Sequence, residues 1–332
     1  HGLKGKEILW AGSSLYDLLA FDRNRGIRDP ERRIPRGQLI SREETLGLFP
    51  GLDRDGLTGA AIVYDGQMYN PTRLALSFLR SAVSAGADAA NYVEVTGFLK
   101  TEGRISGVRA RDMFTAEELE VRGKVVLNAA GPWAGELLEG HLGVCLNPKA
   151  SYSRDVCFIL PRRVTGEYGV AVQARTRDPD AILSGRNRHL FMVPWRKYTL
   201  VGVWHQVHSG SAEDFKVTEG ELLGFVDEVN EACPGLHLNI GDISMWNAGL
   251  VLFGENNPGA KDLRYARKSR IVDHANEHGL EGIVTLLGAR YSTAKGDASK
   301  AIDRVFRKLK RKAPGTRIHV APIYGGGLEC FS

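Results

Sequence analysis

The sequence predicts an α/β fold: strand–turn–helix units forming one domain, interrupted by a second domain built on a mostly antiparallel sheet. Three observations predict it. Lys124-Val125-Val126-Leu127-Asn128-Ala129-Ala130-Gly131-Pro132-Trp133-Ala134 reads as a short buried strand, a small-residue turn and a helix start with Pro132 at its first position. Ile283-Val284-Thr285-Leu286-Leu287-Gly288-Ala289-Arg290-Tyr291-Ser292-Thr293-Ala294-Lys295 repeats that pattern. Between them, residues 151–251 hold short runs rich in β-branched and aromatic side chains, punctuated by turns, as antiparallel strands require.

Taken in order, residues 7–21 place apolar side chains at helical spacing, and the Arg-, Pro- and Gly-rich stretch 22–37 is a loop. Ser41, followed by Glu43 and Glu44, caps a short helix that Pro50 and Gly51 end. Residues 57–69 read as a strand with a turn. Asn70-Pro71 opens an amphipathic helix running to about residue 85, where Gly86 stops it. Residues 89–98 form the next strand, and 104–111 with 117–122 alternate in period two as an antiparallel ribbon. In the middle domain strands are expected at 156–160, 169–174, 189–193 and 198–204, then a helix at 218–232 with Thr218 as cap and an extended return at 240–253. The helix from residue 291 to 311 closes on a basic run, Arg304, Arg307, Lys308, Lys310, Arg311 and Lys312. Its cations suit the helix dipole on a solvated face, and a membrane-binding patch is the rival account.

A net charge of +5 is too mild and dispersed for a nucleic-acid groove, so no nucleic-acid partner is expected. It is compatible with a small anionic substrate or a membrane surface. Four cysteines lie scattered at 145, 157, 233 and 330 without a C-x-x-C pair, which argues against a metal knuckle or disulfide framework and suits a reducing cytosol. No metal site is expected. No apolar run reaches the length of a membrane span, and no signal peptide is evident.

The turn after residue 128 carries the chemistry. Ala129, Ala130 and Gly131 leave no bulk at the carboxyl end of a strand, so backbone can approach a ligand, and a helix N-terminus beyond favours an anion such as a pyrophosphate. A tight turn that binds nothing satisfies the same geometry.

The residues Val126-Leu127-Asn128-Ala129-Ala130-Gly131-Pro132-Trp133-Ala134 resemble the V-N-A-T/A-G-P-W-A segment of FAD-dependent glycerol-3-phosphate dehydrogenases, flavoenzymes of the glycine oxidase and D-amino-acid oxidase type. Asn91-Tyr92-Val93-Glu94-Val95-Thr96-Gly97 resembles the family's N-Y-x-E-V-T-G, and residues 64–74 resemble its Y-x-D-x-x-x-D-x-x-R-L. Phe191-Met192-Val193-Pro194-Trp195 is similar to its substrate-domain hairpin, and residues 322–327 to the loop after its last helix. Gly288-Ala289-Arg290-Tyr291-Ser292-Thr293 resembles its G-x-K-Y-T-T turn.

The resemblance implies a partial FAD/NAD(P)-binding domain of the glutathione-reductase type, with an inserted antiparallel β-sheet substrate domain. Residues 1–145 and 254–332 would belong to the former and 146–253 to the latter. The family's first strand, ending in G-x-G-x-x-G, has no counterpart; Gly325-Gly326-Gly327 follows a helix and has the wrong context. The chain is therefore expected to be a fragment supplying only part of a flavin site.

By resemblance, FAD would meet Val93, Ala129, Ala130, Gly131, Trp133, Gly288, Ala289, Tyr291, Ser292 and Thr293. Arg290 takes the place of the family's lysine, and a guanidinium grips phosphate in a fork that lysine cannot form. Arg267 falls where the family has a substrate-phosphate arginine. His205 follows Gly202-Val203-Trp204, where relatives carry Gly-Thr-Thr-Asp, and an imidazole there is a candidate base, with a structural hydrogen-bonding role as the alternative. His208 and His274 are weaker candidates. Val251 stands where the family has an arginine over the flavin, which marks a divergent branch or a different substrate.

The expected function is FAD-dependent oxidation of sn-glycerol 3-phosphate to dihydroxyacetone phosphate, with quinone or another electron acceptor. The protein would be cytoplasmic, with peripheral contact to the inner face of the membrane left open. The alternatives are a related FAD oxidoreductase acting on an amine or hydroxy acid, and a non-catalytic fragment unable to hold FAD.

Overall fold

The computed structural model describes residues 6–147, 150–177, 187–208, 210–253, 266, 268–315 and 321–326. The first domain begins with helix α1 (Lys6–Leu19), strand β1 (Gln38–Ser41), helix α2 (Arg42–Leu48), strand β2 (Gly59–Ile62) and helix α3 (Pro71–Ser84). Ser41 and Glu44 form a reciprocal capping box at α2, and the Asn70 side chain accepts from the Arg73 amide at α3, as their sequence signals require. Next come β3 (Val93–Thr101), β4 (Arg104–Asp112) and β5 (Glu118–Arg122), one antiparallel sheet in that order. Strand β6 (Val126–Asn128) and helix α4 (Ala134–Leu142) follow.

The inserted domain contains β7 (Ser151–Leu160), β8 (Val170–Arg177), β9 (Asn187–Trp195), β10 (Tyr198–His208), helix α5 (Glu219–Ala232) and β11 (Met245–Phe253). The chain then returns through β12 (Arg270–Asp273), α6 (His274–His278), β13 (Ile283–Leu287) and α7 (Ala294–Lys308).

The inserted sheet is antiparallel, in the order β11-β7-β10-β9-β8. One face packs on α5. Val156, Phe158, Leu160, Met192 and Val201 meet Leu222, Phe225, Val226 and Val229, and the Phe158 and Phe225 rings lie edge-on at 4.8 Å. Fully burying each such side chain stabilises by roughly 1.5–3 kcal/mol. Trp204 stacks on Phe225 and donates its indole N–H to Glu228 at 2.9 Å, which gives the buried carboxylate a partner. A second core joins Phe98, Ile105, Leu138, Val272, Ile283 and Leu287 beneath the sheet β12-β13-β6.

Five expectations are corrected. The strand expected at 57–69 is confined to β2; beyond it the Tyr69 carbonyl accepts from the Trp195 indole at 2.9 Å, so that segment braces the β9–β10 hairpin instead. The strand expected from residue 89 starts at Val93, because Tyr92 adopts a left-handed φ of 57°. Pro132 does not open an α-helix: Gly131, at φ 58°, leads a 3-10 turn (Gly131–Trp133), and α-helix begins only at Ala134. Tyr291 likewise opens a 3-10 turn, Tyr291–Thr293, ahead of α7. The basic face of α7 is not wholly solvated either. Lys308 is only 6% exposed and pairs with Asp273 at 2.5 Å and Glu281 at 3.4 Å.

His274 is fully buried between Thr285, at 2.8 Å from Nε2, and His278, at 3.1 Å from Nδ1. That is a structural role. Burial, reinforced by His278, pushes its imidazole down to about 4. A base with a lowered native pKa binds its proton in the unfolded chain first. Stability is therefore complete above the unfolded value of about 6.5 and falls as the pH drops towards 4, by as much as about 2–3 kcal/mol. Urea unfolding midpoints measured between pH 7.5 and pH 4.5 should decline more steeply in the wild type than in His274→Gln; equal slopes would assign the acid sensitivity elsewhere.

Candidate functional site

Strands β6 and β13 run parallel, with Ile283 opposite Val126 and Thr285 opposite Asn128, so both small-residue turns leave the sheet at the same carboxyl edge. That edge is where open α/β sheets gather ligands. A cavity of about 890 Å³ opens beside the β6 turn. Its walls are the start of β3 (Glu94, Val95, Thr96), the end of β6 with Ala129 and Ala130, and Trp133 with the α4 side chains Glu136, Leu137 and His141.

The turn is held from both sides. Asn128 is buried; its amide donates to the Ala134 carbonyl at 3.0 Å, and its side-chain oxygen accepts from the Ala130 N–H at 3.2 Å. The Tyr152 hydroxyl donates to the Gly131 carbonyl at 3.4 Å. Burial and the neighbouring Glu136 charge push that phenol up to about 12, so it remains a donor throughout the neutral range. The inserted domain adds its own clamp. Trp133 donates to Glu213 at 2.6 Å, while Glu136 accepts from the Ala212 N–H at 2.8 Å and the Ser211 hydroxyl at 3.1 Å.

The β13 turn is fixed by a second network. Ser269 donates to Asp297 at 2.6 Å and accepts from the Ala289 N–H at 2.9 Å; Thr293 also donates to Asp297, at 2.8 Å. The Ser269 and Thr293 hydroxyls hold the Asp297 carboxyl below its usual range, against the cost of burial. Arg290 sits exposed at the crest of this turn, and among the described residues no carboxylate pairs with it.

Of the residues expected to meet a flavin, the cavity collects Ala129, Ala130 and Trp133. Gly131 contributes the turn itself. Val93 opens β3 opposite Asp112, and its neighbours Glu94 to Thr96, not Val93, line the cavity. Gly288, Ala289, Tyr291, Ser292 and Thr293 lie on the adjacent turn outside this cavity's lining, and the Ala289 amide is already committed to Ser269. Arg267 lies outside the described residues. His205 is on the sheet face away from α5, its side chain only 3% exposed, with Nδ1 at 2.7 Å from Asp155 Oδ1. His208 bonds the Ser211 carbonyl at 2.8 Å. Sequence reasoning missed Asp155, Ser269, Asp297 and the clamp carboxylates Glu136 and Glu213. None of them left a local signal; Asp155 lies just before the strand expected at 156–160, between Arg154 and Val156.

Small residues at the end of a parallel strand, a cavity beside them and a helix start beyond form a wall suited to a dinucleotide. Comparison with known proteins agrees. The family described as FAD dependent oxidoreductase matches residues 9–294. A glycerol-3-phosphate dehydrogenase of Synechocystis is 27% identical over 95% of this chain and 55% of its own length. The bovine mitochondrial glycerol-3-phosphate dehydrogenase is 26% identical over 96% of this chain and 41% of its own. The chain thus spans about half the length of the curated relatives it matches. Among solved structures, the Bacillus halodurans glycerol-3-phosphate dehydrogenase complexed with FAD superposes with a TM-score of 0.67, covering 87% of this chain and 52% of that one at 22% identity, a likeness of fold.

Proposed function

The chain belongs to the family of FAD-dependent oxidoreductases, and from that premise we propose that it oxidises sn-glycerol 3-phosphate to dihydroxyacetone phosphate, with quinone or another acceptor taking the electrons. The observation that carries this reading is the pairing of relatives named for that substrate along nearly the whole chain with the small-residue turn at the 890 Å³ cavity.

FAD supplies the acceptor for a hydride from the substrate carbon. The residues that would hold it are Ala129, Ala130 and Trp133 together with the β3 wall Glu94–Thr96. The Trp133–Glu213 and Glu136–Ala212 contacts fix the inserted sheet against that wall, so substrate groups carried by the sheet keep their distance from the turn. Arg290, exposed and unpaired among the described residues, is the cation available to a substrate phosphate. His205 is the candidate proton acceptor. Val251 at the position of the family's arginine favours a second reading, a related oxidoreductase acting on an amine or hydroxy acid. Peripheral contact with the inner face of a membrane accompanies the quinone reading; among the described residues no helix is long and apolar enough to cross one.

An acceptor-dye assay of the full-length flavoprotein decides between these. Turnover with glycerol 3-phosphate should exceed that with glycine or simple hydroxy acids by at least tenfold in kcat/KM, about 1.4 kcal/mol in transition-state binding. A preference for glycine or a hydroxy acid transfers the protein to the second reading. A protein that shows no flavin absorbance is a binding module and refutes both.

A further inference from the structure

The cavity beside the β6 turn has an acidic wall. Glu94, Glu136 and Glu213 all line it, and its arginine, Arg111, is already paired with Glu118 at 3.0 Å. FAD carries an anionic pyrophosphate, so carboxylates at this wall oppose its binding unless something holds them aside. The inserted domain supplies such a holder. Between β10 and α5 a short strap, with a 3-10 turn at Ala212–Asp214, comes against the start of α4. There the Glu136 carboxylate accepts from the Ala212 N–H at 2.8 Å and from the Ser211 hydroxyl at 3.1 Å. Glu213 accepts from the Trp133 indole at 2.6 Å.

Glu136 is the acidic residue in the first turn of α4, and no side chain caps the N-terminus of that helix. A carboxylate so placed is attracted by its own helix's first amides, on the side of the 129–133 turn. The strap draws it the other way. Its charge is felt at the turn all the same. Burial, joined by the Glu136 charge, pushes the Tyr152 phenol up to about 12, and that phenol donates to the Gly131 carbonyl. Ala212 suits the task of donor. It opens the 3-10 turn, where a backbone N–H has no partner within the turn itself, and it is buried, so water does not compete for the bond.

We propose that Ser211 and Ala212 are positioning residues for the cofactor, holding the Glu136 carboxylate off the 129–133 turn so that the inserted domain sets FAD affinity. This rests on the flavin lying along that turn. Cofactor binding is then coupled to the seating of the substrate domain, because the same two hydrogen bonds serve both.

A double-mutant cycle in the full-length protein tests it. FAD affinity of the flavin-free protein is read from the quenching of flavin fluorescence. Ala212→Pro removes the donor and fits the backbone. Ser211, at φ −63° and ψ 155°, has the conformation a residue before proline prefers, and proline suits a first helical position. The variant should bind FAD about five- to tenfold more weakly than the wild type. In a Glu136→Gln background, where no charge remains to be held aside, the same proline should change affinity by less than about twofold. Glu136→Gln alone should bind FAD at least as tightly as the wild type. Ser211→Ala, which removes the second donor, carries the same cycle with a smaller loss where the proline variant does not fold. A loss that persists undiminished in the Glu136→Gln background overturns the proposal and makes the strap a plain brace. Wild-type affinity in both strap variants overturns it as well. Flavin lost from Ala129→Leu in either case leaves the cofactor site standing, whereas flavin retained by Ala129→Leu and by every strap variant sinks that site too.

Discussion

Replacing Arg290 with alanine in the full-length flavoprotein should lower kcat/KM for glycerol 3-phosphate about ten- to a hundredfold. A charge-assisted hydrogen bond contributes roughly 1.5–3 kcal/mol, and that energy converts to such a loss when the contact is made in the transition state. The structure sharpens the case. Arg290 is held at the crest of the β13 turn by its backbone, whose carbonyl accepts from the Thr293 amide and hydroxyl, and not by a side-chain ion pair. Truncation therefore removes a cation without orphaning a buried carboxylate, so folding should be spared. Arg290→Lys should recover much of the activity, because a point charge still meets a phosphate. The control is unphosphorylated glycerol, for which the alanine variant should match the wild type. An effect below twofold, or an equal effect on both substrates, would remove Arg290 from the phosphate site.

How far the sequence disclosed this molecule depends on whether a signal was local. The capping boxes at Ser41 and Thr218 and the Asn70 cap were legible because their partners lie three residues away. The β4–β5 ribbon was legible through its alternation. Strands β1 and β12 were not. Each has four residues and is defined by a distant partner, β2 or β13, so nothing within it distinguishes strand from loop. The two turns at the sheet edge were found from their small residues, but their supports were not. Glu136 reaches Ala212 across 76 positions, and Ser269 reaches Asp297 across 28. The first pairing exists only once the inserted domain folds back on the turn, and the second only once α7 packs beside the segment before β12. Asp155 shows the same limit. It fell outside the strand expected at 156–160, and its pairing depends on His205 lying directly opposite, a register that no residue of β7 specifies alone.

The largest effect is expected at the cavity turn, where Ala129→Leu in the full-length flavoprotein should abolish flavin retention. Ala129 and Ala130 both line the cavity, but they are not equivalent. Ala130 also packs against the second core, beside Leu137 and Val126, and its amide is tied to Asn128. A leucine there would disturb packing, and overpacking alone costs about 1–3 kcal/mol, so lost flavin would have two explanations. Ala129 is exposed at the cavity wall, and its added side chain enters the space the cofactor needs while leaving the core untouched. The variant should express as well as the wild type and keep its thermal midpoint without flavin, yet elute from gel filtration colourless. Ala129→Gly serves as the control and should retain flavin, since it removes a methyl from the wall and adds nothing. An Ala129→Leu protein that stays yellow at full stoichiometry would place the cofactor elsewhere and reduce the turn to packing. Colour lost from the glycine variant as well would mean that backbone rigidity at the turn, not the space beside it, governs binding.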